Sequence, residues 1–362
     1  MRRLMYCMAA TLIILGVILS GCAGQQTTPA TTAPKTTAPA TTAAPTSAPA
    51  TSAPASAKSI AWKSVTFLPR NMFSVRSMVP IAEKLKTRSN GQFTIEYLGG
   101  PEVTPAAQQA EAVRRNVVQM AIVPASYYAG LVPLGSMLEL SELLPAEERA
   151  AGAYAYLNEL HNKVGLYFLE RPTAVSPVGY FTMILKQPIT SPKDLQNKKI
   201  GATSNNVQPF LNALGGAAPI IPAPDVYASL ERGVVDGFSY PITNSADSQL
   251  QTLVKAGIDH AYFNAGASII LNLDEWNKLP KDMQTLLTDI AKETIEEYIK
   301  AYAEEVKVAR KKFTDAGVQF IKFSDADAAY WYKTIYDACW AEMAKQYPEV
   351  APKFRELVSK KK

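Results

Sequence analysis

The stretch at residues 194–244, DLQNKKIGATSNNVQPFLNALGGAAPIIPAPDVYASLERGVVDGFSYPITN, alternates extended and helical signals within fifty-odd residues. Residues 198–203 read as a strand, and 207–214 as a helix stopped by Gly215-Gly216. A second strand is expected at 218–221, a second helix at 225–232, and after Gly233 a third strand at 234–240. Strands separated by short helices imply crossover connections, hence parallel sheets and an α/β fold.

A second unit of this kind lies upstream. Residues 61–68 read as a strand, and Val75, Met78, Val79, Ala82 and Leu85 recur at helical spacing. Asn90-Gly91 turns into the alternating Phe93, Ile95 and Tyr97, a helical face follows in Ala106, Ala110, Val113 and Val117, and 118–123 forms an apolar strand. The two units echo each other: AVRRNVVQMAIVP at 112–124 aligns without gaps on SLERGVVDGFSYP at 229–241, sharing an Arg, Val-Val and the closing Pro. Two similar lobes flanking a cleft are therefore expected. In open parallel sheets the ligand lies beyond the carboxyl ends of the strands. That rule selects Tyr127 and Tyr128 in the first lobe, and Gly201, Thr203, Asn205, Asn206, Tyr240 and Asn244 in the second.

The 194–244 stretch resembles the core of the DctP-type solute-binding proteins of TRAP (tripartite ATP-independent periplasmic) transporters. SNGQFTIEYLGG at 89–100, EAVRRNVVQMAIVPASYYAG at 111–130 and NLDEWNKLP at 272–280 are further similar segments in the same order. The resemblance implies a bilobal periplasmic-binding-protein-like fold and capture of a small solute for membrane subunits. It also implies a long helix bracing both lobes, which suits the apolar face running from Met283 through Tyr298 to Phe313. Its usual carboxylate clamp is an Arg in a strand written roughly K-I-R; here the strand reads Lys199-Ile200-Gly201. A second contact of many relatives falls on Phe181, and Ser239-Tyr240 stand where some relatives place a metal-binding acid, so no metal is expected. With the clamp replaced by Gly201, the vacated volume is expected to admit an aromatic or largely neutral solute against Phe181, Tyr240, Tyr262 and Phe263. A carboxylate, if the solute has one, would fall to Arg171.

The ends of the chain set its compartment. Arg2 and Arg3 precede an apolar run of about a dozen residues, short of the ~20 needed to span a bilayer, and the run closes in Leu19-Ser20-Gly21-Cys22. This is a lipoprotein leader at 1–21, with lipid expected on Cys22 and the folded body held in the periplasm or at the cell surface. Residues 22–58 are nearly all Thr, Ala, Pro and Ser and read as a solvated tether. The body is expected to divide into lobe I (59–180 plus 267–310) and lobe II (181–266 plus 311–362). Of three cysteines only Cys339 remains in it, so no intrachain disulfide is expected and that thiol reads as buried and inert.

Other function classes find little in the chain. The formal charge of +5 includes Arg2 and Arg3, is otherwise scattered, and lacks an Arg cluster, so no nucleic acid is expected. No G-x-S-x-G, phosphate loop or C-x-x-C occurs, and the two histidines lack metal-ligand spacing. His161 reads as solvated on a helix and His260 as a minor candidate for the cleft. Asp236, in Val-Val-Asp-Gly, reads as a turn-fixing residue. A monomeric, cofactor-free binding protein is expected rather than an enzyme; an enzyme on a similar scaffold and a surface sensor are the alternatives.

Overall fold

The computed structural model describes residues 59–360 apart from 77 and 173–179. The leader, Cys22 and the tether lie outside the described residues. Among the described residues ten strands occur, in the order β1 (Ile60–Thr66), β2 (Phe93–Gly99), β3 (Met120–Pro124), β4 (Leu166–Glu170), β5 (Phe181–Leu185), β6 (Ile200–Ala202), β7 (Gly237–Pro241), β8 (Ala256–Ile258), β9 (Ala267–Asn272) and β10 (Gln319–Ile321). They form two five-stranded sheets, β2-β1-β3-β9-β4 and β10-β8-β5-β7-β6.

Within each sheet the strands of the two sequence units are parallel, β1 between β2 and β3, and β6 beside β7. The sheets are nevertheless mixed, which corrects the expectation of parallel ones. β9 runs antiparallel between β3 and β4, and β5 antiparallel between β7 and β8. Each of these two strands follows in sequence a strand of the opposite sheet, β4 before β5 and β8 before β9, and not a parallel neighbour in its own sheet.

Proline explains two local departures. The strand expected at 218–221 is reduced to one isolated bridge, Ile220 to Ala202 of β6, with a second from Ala217 to Lys199 just before it, because Pro219 and Pro222 have no N–H to give a ladder. The helical spacing from Val75 to Leu85 spans two helices, Phe73–Arg76 and Pro80–Arg88, since Pro80 starts a helix but cannot continue one. Val117 is two-thirds exposed, beyond the end of helix Ala106–Arg114.

The sequence echo is structural. Asn116 and Gly233, at equivalent places, both take left-handed conformations, with φ of 60° and 73°. Val117 and Val234 are exposed while Val118 and Val235 are buried, and β3 and β7 end at Pro124 and Pro241. Each copy thus turns a helix into a strand aimed at the same cleft.

Two apolar clusters form the interior. The smaller joins one face of the first sheet to Met78, Ile81 and Leu85, and to Leu287, Ile290 and Ile295 of the helix Lys281–Asp315. The larger runs from the other face of that sheet through the second sheet and takes in Tyr298, Tyr302, Val306 and Phe313 of the same helix. At ~1.5 Å per residue those 35 residues span about 52 Å, and one apolar stripe serves both cores. The closing helix Ala351–Val358 reaches back to the first half of the chain, where Lys353 lies 4.1 Å from the ring of Tyr156. No helix among the described residues is long and apolar enough to cross a membrane.

Candidate functional site

A cleft of about 510 Å³, counting the space at its open mouth, lies between the two sheets. Phe67 and Leu68 after β1, Pro124 at the end of β3, and Ser126 and Tyr127 after it form one wall; Thr203 after β6, Tyr240 and Pro241 of β7, and Asn244 form the other. Tyr180 and Phe181 cross at the back, with Glu139, Gly266 and Ala267 beside them. The strand-end rule therefore locates the cleft, and Tyr127, Phe181, Thr203, Tyr240 and Asn244 converge there.

A relay of hydroxyls ties this site to the long helix. Tyr298 donates to Tyr180 Oη at 3.4 Å, Tyr180 lies 2.9 Å from Ser74 Oγ, and Ser74 donates to Asn244 Oδ1 at 2.8 Å. A hydroxyl has one proton to give, so the relay runs in a single direction and leaves the Asn244 amide protons for another acceptor. That amide lies close to the Tyr240 hydroxyl, yet Tyr240 Oη is buried and completes no hydrogen bond among the described residues.

Seven sequence-selected residues lie elsewhere, each for a packing reason. Arg171 is wholly buried: Nε and Nη2 bind Glu148 at 3.0 and 2.8 Å, and Nη1 donates to the Ala265 carbonyl at 2.6 Å. Two of its five N–H groups remain, but the side chain is fully buried and stands outside the cleft lining, which corrects the expected fallback. Gly201 opens no volume either. A Cβ there would run into the Phe238 ring, so the neighbouring strand already fills the space. Tyr128 sits in the core against His161, and Tyr262 bonds Ser239 Oγ at 2.6 Å within the second sheet. Phe263 is buried with φ of 55° just before β9, Asn205 is exposed outside the cleft lining, and Asn206 is buried behind it.

The histidines are structural. His161 is buried rather than solvated: its Nδ1 lies 2.7 Å from the Leu157 carbonyl and its Nε2 3.1 Å from Tyr128 Oη, and burial pulls its pKa down to about 4. His260 Nε2 accepts from the Phe323 amide at 2.8 Å, outside the cleft lining. Asp236 accepts from Lys199 N at 2.8 Å and pins the starts of β6 and β7, and Cys339 is a buried thiol pushed well above its ordinary pKa by that burial. No group of acids, histidines or cysteines among the described residues could hold a metal ion.

Sequence reasoning missed Glu139. It lies in the short 3-10 turn Met137–Leu140, in Ser-Met-Leu-Glu-Leu, where a single acid among apolar residues carries no motif. Its Oε2 accepts from Ser204 Oγ and, at 3.1 Å, from Asn206 Nδ2, so groups following β6 reach across to it. Burial raises its pKa to about 7, against the pull of those two donors and of the Arg171 charge.

Comparison with known proteins adds the ancestry. The DctP family model, described as bacterial extracellular solute-binding protein, family 7, matches residues 65–346. The C4-dicarboxylate-binding periplasmic protein DctP of Rhodobacter capsulatus is 26% identical over 271 residues, 70% of this chain and 77% of that one. A solute-binding protein of Albidiferax ferrireducens is 22% identical over 281 residues, 75% of this chain and 81% of that one. A TRAP periplasmic solute-binding protein of Desulfovibrio salexigens, solved with orotic acid, superimposes with a TM-score of 0.72 at 19% identity, covering 82% of this chain and 97% of its own.

Proposed function

The chain belongs to the DctP family of bacterial extracellular solute-binding proteins, family 7, and from that premise we propose that it is the receptor of a TRAP-type transporter. It captures one small organic solute in the cleft and passes it to the membrane subunits. The observation that carries this reading is the convergence of two repeat-related strand ends, Pro124 and Pro241, on one cleft backed by Tyr180 and Phe181. A solute touching both walls favours their approach, because a ligand shifts a hinge only by binding one state better than the other.

The solute is aromatic or carries no obligatory carboxylate. Five aromatic residues, Phe67, Tyr127, Tyr180, Phe181 and Tyr240, line the cleft, and no Lys, Arg or His does among the described residues. The receptor acts as a monomer, tethered through lipid on Cys22, with the body outside the cytoplasm.

Mass spectrometry of solute released from natively purified protein, followed by calorimetric rebinding, tests this reading. A single small molecule that rebinds with one-to-one stoichiometry supports it. Turnover of that molecule, or a protein that neither carries nor rebinds any solute, would overturn it.

A further inference from the structure

We infer that the cleft selects a solute bearing a positively charged nitrogen, seated against the Glu139 carboxylate and the surrounding aromatic rings. This deepens the receptor reading and rests on it.

Three observations converge. Glu139 lines the cleft and spends only one oxygen on the protein: Oε2 takes Ser204 and Asn206, while Oε1 accepts no hydrogen bond among the described residues. Gly266 makes room for that oxygen, since a Cβ on Gly266 would lie 2.7 Å from Oε1. A buried carboxylate oxygen turned toward a cavity is satisfied by a donor from the ligand, and an N–H on a cation forms the stronger bond.

The charges around Glu139 do not cancel it. Arg171 is ion-paired with Glu148 and makes no hydrogen bond to Glu139, and Arg149 pairs with Glu170. Two arginines thus meet two other glutamates, and Glu139 is the acid left over. A buried charge without a counter-ion is costly, and a cationic solute supplies one.

The aromatic lining points the same way. Tyr127, Tyr180, Phe181 and Tyr240 present rings whose faces attract cations, most strongly where water is excluded. A carboxylate solute would instead meet a like charge at Glu139 and, among the described residues, no cation on either wall.

Titration gives the preference a second signature. With a pKa of about 7, Glu139 is largely protonated at pH 6 and ionised at pH 8, so affinity for a cation rises about tenfold across that interval. The groups that act on it are Arg171 with its partner Glu148, the hydroxyls of Tyr127 and Tyr180, and the Cys339 thiol. The last three have pKa values pushed up by burial and stay protonated throughout.

The test is calorimetric titration of three near-isosteric probes, phenethylamine, 2-phenylethanol and 3-phenylpropionate, into the full protein at pH 6 and pH 8. The released solute is identified in parallel. The inference expects the amine to bind tightest at pH 8, to weaken about tenfold at pH 6, and to lose its advantage over the alcohol in Glu139→Gln. It also expects a cationic nitrogen in the released solute. Gly266→Ala, which crowds Oε1, is the second variant and lowers amine affinity selectively. Tighter binding of 3-phenylpropionate, or an amine preference unchanged in Glu139→Gln, overturns the charge assignment while leaving the receptor reading intact. Absence of any bound or released solute overturns both.

Discussion

Replacing Arg171 by Ala separates a structural cation from a ligand clamp. Three of its donors are engaged: two to Glu148, at 3.0 and 2.8 Å, and one to the Ala265 carbonyl at 2.6 Å. Neither Arg171 nor Glu148 has more than 1% of its side chain exposed. Truncation leaves the Glu148 carboxylate with Ser141 as its remaining donor and strips the Ala265 carbonyl, which precedes β9, of its side-chain partner. Breaking one side of a buried pair costs about 3–5 kcal/mol, because the surviving charge stays desolvated. For a body of this size, at about 2 °C per kcal/mol, the midpoint of thermal unfolding falls by roughly 6–10 °C. Removing both charges in Arg171→Met/Glu148→Gln recovers part of that loss, since no charge is then stranded. Calorimetric affinity for the released solute, measured well below the lowered midpoint, stays within about threefold of wild type, or roughly 0.6 kcal/mol. An Arg171→Ala protein that melts like wild type but binds at least a hundredfold more weakly would refute the assignment and restore this arginine as a clamp.

Further outcomes follow from the same packing and titration arguments. Gly201→Ala forces its new methyl into Phe238 and costs about 1–3 kcal/mol in denaturant unfolding, with partial recovery in Gly201→Ala/Phe238→Leu; a neutral single variant would show that the strand end is loosely filled. His161 has a folded pKa of about 4 against 6.5 unfolded, so the unfolded chain binds more protons and stability declines as pH falls through that window, by about 3 kcal/mol in total. Glu139 is opposite in sign: its folded pKa of about 7 exceeds the reference 4.5, and stability falls by about 3 kcal/mol as pH rises from 4.5 to 7. The two slopes offset in wild type, and Glu139→Gln unmasks the histidine slope in unfolding curves at stepped pH; superimposable profiles for the two proteins would contradict the titration assignment. Mass spectrometry of membrane-extracted protein should find a diacylglyceryl group on an amino-terminal Cys22, and a soluble mature form beginning elsewhere would contradict it.

The fold was legible where local chemistry and the tertiary requirement coincide. The repeated helix-to-strand turn at Asn116 and Gly233 and the strand ends at Pro124 and Pro241 follow from periodicity, turn residues and the sequence echo. β5 and β9 escaped that logic in direction, because an apolar run does not tell which sheet feeds it. The site was half legible for a related reason. Tyr127, Thr203, Tyr240 and Asn244 could be placed from strand ends, and Phe181 from family likeness. Arg171 looked available because a sequence does not reveal that Glu148, on another element, consumes its charge. Gly201 looked like a void because cross-strand packing by Phe238 is a property of register. Glu139 stayed hidden because its significance lies in what fails to neutralise it, which only the assembled neighbourhood makes visible.

The account centres on a solute held between the two repeat-related strand ends, and the Tyr240 hydroxyl probes that seat directly. Tyr240 is 3% exposed and its Oη, close to the Asn244 amide, completes no well-formed hydrogen bond among the described residues, so Tyr240→Phe removes at most a weak contact and fills the same volume. The decisive measurement is the affinity of the released solute for Tyr240→Phe, read beside its thermal unfolding. The account predicts unfolding at or slightly above the wild-type midpoint, with binding weakened by about 1 kcal/mol, roughly fivefold. Unchanged affinity combined with a clear loss of stability would mean that the hydroxyl serves the fold and that the solute sits elsewhere.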